Sequence, residues 1–276
     1  MEPPYPSLTP TWHNDVYPAI DYTNEKVSHK GETVVITGAV SSYPRSGLGR
    51  ETALAYAKAG AKTLVLTSRN ATKLTETAYQ VANVNNDVQV KTVPAHITAD
   101  FDVQQIADTV GGGTWNVLVH TAGHIHAPAP VAQTADVADY WRAYEVNVKS
   151  LVLLAKHLFP KAAKDASVVA VPAGAVAFPA AVTAGLSGYV VSKLALIKTV
   201  EYLAVENPDL NVTAVHPGMV DTPIFRKSGA TPDSPMVHMD TPKLFSGFCL
   251  WVTRPEAKFP QRPDGVGQLG RGRAQG

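Results

Sequence analysis

The chain has 276 residues, of which 45% are apolar and 17% charged, and its formal net charge is +1. That length fits one α/β domain with a full core, and the near-zero charge argues against a surface built for nucleic acid or an anionic membrane. A single cysteine, Cys249, excludes an internal disulfide framework and a cysteine-based metal centre, and makes a reducing cytoplasm the expected compartment.

Residues 1–30 form an irregular arm. It carries Pro3, Pro4, Pro6, Pro10 and Pro18 with Glu2, Asp15, Asp21 and Glu25, and lacks the apolar core of a signal peptide. Tyr5, Trp12, Tyr17, Ile20 and Tyr22 are sticky for a free tail, so the arm is expected to pack on the domain. Strands and helices then alternate, which predicts a parallel sheet covered on both faces. The strands are expected at Thr33–Thr37, Thr63–Thr67, Val88–Val93, Asn116–His120, Ser167–Val171 and Asn211–His216. The helices are expected at Leu48–Ala59, stopped by Gly60, then Ala71–Val84, Phe101–Val110, Val137–Phe159 and Leu186–Val205. The uncharged stretch 167–192 is interrupted by Pro172, Gly174, Pro179, Gly185 and Gly188. It therefore reads as strand, loop and helix start, not as a membrane span. Residues 261–276 have the composition of a disordered tail.

Three places carry chemistry. Gly38 ends the first strand, and Gly47-Leu48-Gly49 opens the first helix. Glycines at such a turn let the backbone approach a pyrophosphate, and the helix start supplies free N–H groups. Ser68 and Arg69 follow the second strand. An acidic residue there would bind a ribose 2′-hydroxyl, whereas a guanidinium beside hydroxyls suits a 2′-phosphate, which favours NADP over NAD. Tyr189 and Lys193 are four apart on one helix face. An ammonium beside a phenol lowers the phenol pKa toward neutrality and makes the pair a proton donor and acceptor for carbonyl/alcohol interconversion. His120, His124 and His126 cluster after the fourth strand, but with no carboxylate or cysteine near in sequence and with Pro128 and Pro130 following. His124 or His126 reads as lining the substrate pocket, and no metal site is expected.

The glycine turn, Asn147 and the Tyr189/Lys193 pair together resemble the short-chain dehydrogenase/reductase family over roughly residues 31–258. The arm's Pro6-Ser7-x-Thr9-x-x-x-His13 and Tyr17-Pro18-Ala19-Ile20 are similar to arms of filamentous-fungal members, many from secondary-metabolite pathways. The resemblance implies a Rossmann-like doubly wound sheet of six or seven strands in one domain, residues 31–260. It implies a nicotinamide cofactor, NADP(H) here, and a small-molecule carbonyl or alcohol substrate. Tyr189 would protonate the substrate oxygen, Lys193 would tune it and bind the nicotinamide ribose, and Asn147 would hold a relay water. Gly218 and Thr222, in His216-Pro217-Gly218 and Asp221-Thr222, would serve the nicotinamide side.

Several positions depart from the family pattern. Eight residues separate Gly38 from Gly47, where the family has three, so residues 42–46 look inserted. His96-Ile97 stands for the usual Asp-Val, and Thr121-Ala122-Gly123 for Asn-Ala-Gly, which predicts a weaker hold on adenine. Ala173 occupies the place of the serine that hydrogen-bonds the substrate oxygen. Thr183 or Ser187 would replace it only if the 178–186 loop folded over the site. No final strand is legible, so subunit pairing is expected to be weak or altered. The leading reading is an NADP(H)-dependent carbonyl reductase or alcohol dehydrogenase of secondary metabolism. The alternative is a family-derived protein without redox activity, either a cyclase or isomerase, or an inactive nucleotide-binding paralogue.

Overall fold

The computed structural model describes residues 11–40, 47–233 and 238–257. The inserted-looking segment 42–46 and the tail 261–276 lie outside these. Six parallel strands form one sheet in the order β3-β2-β1-β4-β5-β6. They are β1 (Thr33–Thr37), β2 (Thr63–Ser68), β3 (Gln89–Pro94), β4 (Trp115–His120), β5 (Ala162–Ala170) and β6 (Asn211–Ala214). The order reverses between β1 and β4, and a doubly wound sheet binds ligands in the crevice beyond the strand ends at that point.

Alternation along β1 divides the core in two. Val34 and Ile36 face a cluster with α1 (Leu48–Lys58), α2 (Ala71–Val84) and α8 (Pro242–Val252). Val35 faces the other side, toward α3 (Asp100–Val110), α5 (Ser150–Leu158) and α6 (Ser187–Glu206). Both faces are dry, so the central strands read as continuous apolar runs. Full burial of each Val or Ile contributes about 1.5–3 kcal/mol. Asn70 caps α2 by accepting the Lys73 N–H, and Gly60 turns the chain after α1 with φ +84°.

Two elements differ from the sequence reading. The long helix is broken into α4 (Val137–Tyr144), a π-helical turn (Glu145–Lys149) and α5. The wider turn carries Asn147 into the protein, where it is fully buried. Strand β5 begins at Ala162, five residues before its apolar run: Ala162 already pairs with Trp115, and the register then shifts across the polar Lys164-Asp165, where Asp165 has φ +61°, before Ser167 pairs with Val117. Two helices were not legible, α7 (Pro223–Lys227) and α8. Residues 11–30 lie along α8. Ile20 is buried with its carbonyl oxygen against Gly247, and the Tyr22 hydroxyl donates to the Lys243 carbonyl oxygen at 3.2 Å.

Candidate active site

Every residue expected to serve cofactor or chemistry follows the carboxyl end of a strand or sits on a helix that covers those ends. Gly38 has φ +65°, and a Cβ there would stand 3.0 Å from the Ala122 nitrogen and from the Thr121 hydroxyl. Gly49 is tighter still. A Cβ would press into the Gly38 carbonyl oxygen and come within 2.7 Å of Thr121 Oγ1. Thr121 in turn donates to the Thr37 carbonyl oxygen at 2.6 Å. The altered Thr121-Ala122-Gly123 segment thus still clasps the glycine turn.

Gly47 begins α1 with no side-chain cap, and the buried Arg50 Nε has no partner among the described residues. A turn closed by glycines and a helix start with uncapped N–H groups fit a dinucleotide pyrophosphate. Of the residues expected at the adenine end, Ser68 is half-buried, Arg69 is exposed, and the backbone N–H of the exposed His96 donates to Asp102 at 2.7 Å.

Asn147 is held from three directions. Its side-chain oxygen accepts the His124 N–H at 2.9 Å, and its amide donates to the His124 carbonyl oxygen and to Ser192 Oγ, both at 2.9 Å. Ser192, unremarked in the sequence, also donates to the Tyr189 carbonyl oxygen at 2.7 Å. It ties Asn147 to the turn of α6 that bears Tyr189. Lys193 is buried, its Nζ donating to the Val171 carbonyl oxygen at 2.6 Å and lying 5.9 Å from the Tyr189 ring centroid. The spacing Tyr-x-x-x-Lys therefore does bring the pair together.

The electrostatics run against the sequence expectation. Burial pushes the Tyr189 hydroxyl up to about 12, and burial pulls Lys193 down to about 7. Desolvation of each charged form outweighs the attraction between them, so the phenol is a neutral proton donor at ordinary pH. His120, beneath Lys193, is fully buried and pulled down to about 3, first by burial and then by the lysine's charge. It bridges Thr37 Oγ1 at 2.8 Å and Ser150 Oγ at 2.9 Å.

The three histidines separate. His120 points inward. His124 Nε2 meets Asp139 Oδ1 at 2.7 Å, so a carboxylate distant in sequence does reach one of them. His126 packs edge-on against Tyr140, ring centroids 5.0 Å apart. Among the described residues no group of three or more His, Cys, Asp or Glu is placed to hold a metal ion.

Ala173 is extended, just before a turn of 3-10 helix, and offers only a methyl. Ser187 accepts the Tyr140 hydroxyl at 3.3 Å, and Phe178 and Val182 of the intervening loop face solvent. The loop's Gly185 carbonyl oxygen accepts the Ala129 N–H at 3.0 Å, which brings the loop against the segment that follows β4. Beyond β6, Thr222 caps α7 by accepting the Phe225 N–H at 3.2 Å. Asp240 lies against Gly218 and accepts the Met219 N–H at 2.7 Å. Its carboxyl is pushed up to about 6 by burial. Ile224 of α7 and Lys193 both approach Gly123, at 3.2 and 3.7 Å from where its Cβ would stand.

A family model described as short chain dehydrogenase matches residues 32–233. The chain is 32% identical over 262 residues to short chain dehydrogenase mpl6 of Monascus purpureus, covering 90% of this chain and 85% of the relative. It is 30% identical to short chain dehydrogenase andI of Emericella variicolor, covering 88% and 81%. Among solved structures it resembles L-sorbose reductase from Gluconobacter frateurii, complexed with NADPH and L-sorbose. The TM-score is 0.72 at 23% identity, covering 84% of this chain and 93% of that one. At that identity the likeness concerns the fold. No helix among the described residues is long and apolar enough to cross a membrane.

Proposed function

The chain belongs to the short-chain dehydrogenase family, and from that membership we propose that it is an NADP(H)-dependent oxidoreductase. It interconverts a carbonyl and an alcohol on a small molecule. Its sites are the residues singled out above, with Tyr189, Lys193 and Asn147 at the reacting end. The observation that carries the reading is the half-buried Tyr189 beside the buried Lys193, with their turn of α6 tied to Asn147 through Ser192.

A bound nicotinamide supplies the hydride. The chain's own residues do the rest. Gly38, Gly47, Leu48 and Gly49 hold the pyrophosphate, with Ala122 and Gly123 beside them. Ser68 and Arg69 hold a 2′-phosphate, His96 lies at the adenine, and Gly218 and Thr222 serve the nicotinamide side. The neutral Tyr189 hydroxyl gives its proton to the carbonyl oxygen as that oxygen gains negative charge. Lys193 stabilises the phenolate left behind. Asn147 fixes the His124 backbone and the turn of α6, so the proton donor keeps its place. With the phenol pushed up to about 12, Tyr189 carries its proton at ordinary pH and enters reduction as the donor. The arm pattern shared with fungal members supports a place in secondary-metabolite biosynthesis. The protein works in the cytoplasm, as a weak homo-oligomer or a monomer.

Cofactor choice tests the nucleotide half of this reading. NADPH binds more tightly than NADH, and Arg69→Ala removes most of the difference, since a charge-assisted phosphate contact is worth roughly 1.5–3 kcal/mol. Fluorescence titration measures both affinities. Equal affinities in the unmodified protein contradict NADP preference.

A further inference from the structure

We infer that Asp240 is a positioning residue for the nicotinamide end of the cofactor: its carboxylate fixes the start of the segment 218–224, and the N-terminal arm holds that carboxylate in place. The inference rests on the oxidoreductase reading above and brings into it the arm, which no step of that reading uses.

Asp240 grips the segment at Gly218 and Met219. Its Oδ2 accepts the Met219 N–H at 2.7 Å, and its own N–H donates to the Met219 carbonyl oxygen at 2.8 Å. Gly218 has φ +80°, and a Cβ there would stand 2.8 Å from the Asp240 carboxyl carbon. The carboxylate therefore lies directly on the glycine backbone, where a larger residue would displace it. The far end of the segment borders the reacting groups. Ile224 Cδ1 lies 3.2 Å from where a Cβ of Gly123 would stand, and Asn147 Oδ1 and Lys193 Nζ lie 3.5 and 3.7 Å from the same point.

The arm holds the residues around Asp240. The Thr241 N–H donates to the Asn14 carbonyl oxygen at 2.8 Å, and Thr241 Oγ1 donates to Asp15 Oδ1 at 2.6 Å. Trp12 meets the His238 ring edge-on, centroids 6.1 Å apart. Residues 238–241 are thus tied to the arm and in turn tie down Gly218-Met219. A charge-assisted bond raises the population of the held conformation, and apparent ligand affinity scales with that population. Only the part of the cofactor beside the segment gains from it, which is the nicotinamide end and not the adenine end.

Calorimetric titration compares NADPH with 2′-phospho-ADP-ribose, which lacks only the nicotinamide ring, in four proteins: unmodified, Asp240→Ala, Asp240→Asn and Thr241→Val. NADH and ADP-ribose take their place if the unmodified protein binds NADH more tightly. Asp240→Ala is expected to bind NADPH roughly 10–100-fold more weakly, the size of a hydrogen bond to a charged group, with its affinity for 2′-phospho-ADP-ribose unchanged. Asp240→Asn keeps an oxygen to accept the Met219 N–H and is expected to restore most of the affinity. Thr241→Val keeps the shape of the side chain, removes only its bond to Asp15, and is expected to weaken NADPH by roughly 2–5-fold. By linkage, the ring must hold the segment in return. NADPH is therefore expected to slow hydrogen exchange at the Met219 and Thr241 N–H groups more than 2′-phospho-ADP-ribose does.

An unchanged NADPH affinity in Asp240→Ala or Thr241→Val, an equal loss for both nucleotides, a loss that Asp240→Asn leaves unrepaired, or equal slowing of exchange by both nucleotides each overturns the inference and leaves the oxidoreductase reading standing. If the unmodified protein binds neither NADPH nor NADH, both fail.

Discussion

Lys193 is 3% exposed, and burial pulls it from 10.5 down to about 7. Between those two values the unfolded chain holds the lysine proton and the native protein does not. This group therefore costs no stability above about 10.5, costs progressively more as pH falls, and reaches its full penalty below about 7. Lys193→Met removes that penalty but leaves the Val171 carbonyl oxygen without its 2.6 Å donor, a loss of about 1–3 kcal/mol. The variant is thus expected to gain stability over the unmodified, ligand-free protein at pH 7. The gain should shrink as pH rises and turn into a loss between about pH 8 and pH 10. Urea midpoints across that range measure it, and a difference independent of pH would contradict the account. A residue kept at such a cost is one that function requires. Its burial was also what spacing could not reveal. Four-residue separation on a helix established that Tyr189 and Lys193 meet, but not how much water reaches them, and water decides the sign of the tyrosine shift.

Among the elements, the end of β1 and the start of α1 meet tightly at Gly38 and Gly49. Gly49→Ala would drive a methyl into the Gly38 carbonyl oxygen and toward Thr121 Oγ1 at 2.7 Å. Overpacking of this kind costs about 1–3 kcal/mol, and here it also opens the pyrophosphate cradle. The expected result is lower stability with sharply weaker NADPH binding. Gly112→Ala, with open space around its Cβ, should change neither. Equal behaviour of the two variants would contradict the cradle. The elements also show which signals a sequence carries. Strand β1 and helix α2 end where read, because an apolar run and the Asn70 cap are local. The π-helical turn at Asn147 was not legible, since its cause is the distant His124 backbone. The His124–Asp139 pair and the approach of His216 to Gly174 escaped for the same reason. His124 and Asp139 lie 15 residues apart within the β4–β5 connection, and His216 and Gly174 follow different strands.

At the scale of the whole molecule, residues 11–30 complete one face of the domain. Ile20 is fully buried against α8, whose Gly247 admits the Ile20 carbonyl oxygen. Ile20→Ala is expected to cost about 2–5 kcal/mol by urea unfolding, and a change within about 0.5 kcal/mol, the range of a surface site, would show the arm to be loosely attached. The parallel sheet covered on both faces was legible from alternating strands and helices and its doubly wound form from the family resemblance, while the strand order with its reversal between β1 and β4 comes from the structure. It places the glycine cradle, Asn147, Tyr189 and Lys193 at one end of the sheet, and from that arrangement the proposed reductase follows. The most direct test is NADPH consumption with an activated keto ester, comparing the unmodified protein with Tyr189→Phe. A positioned general acid contributes roughly 10²–10⁴-fold, so the account predicts turnover that falls by that factor while NADPH affinity is retained. Conversion that proceeds without nicotinamide, or that Tyr189→Phe leaves unchanged, would contradict it.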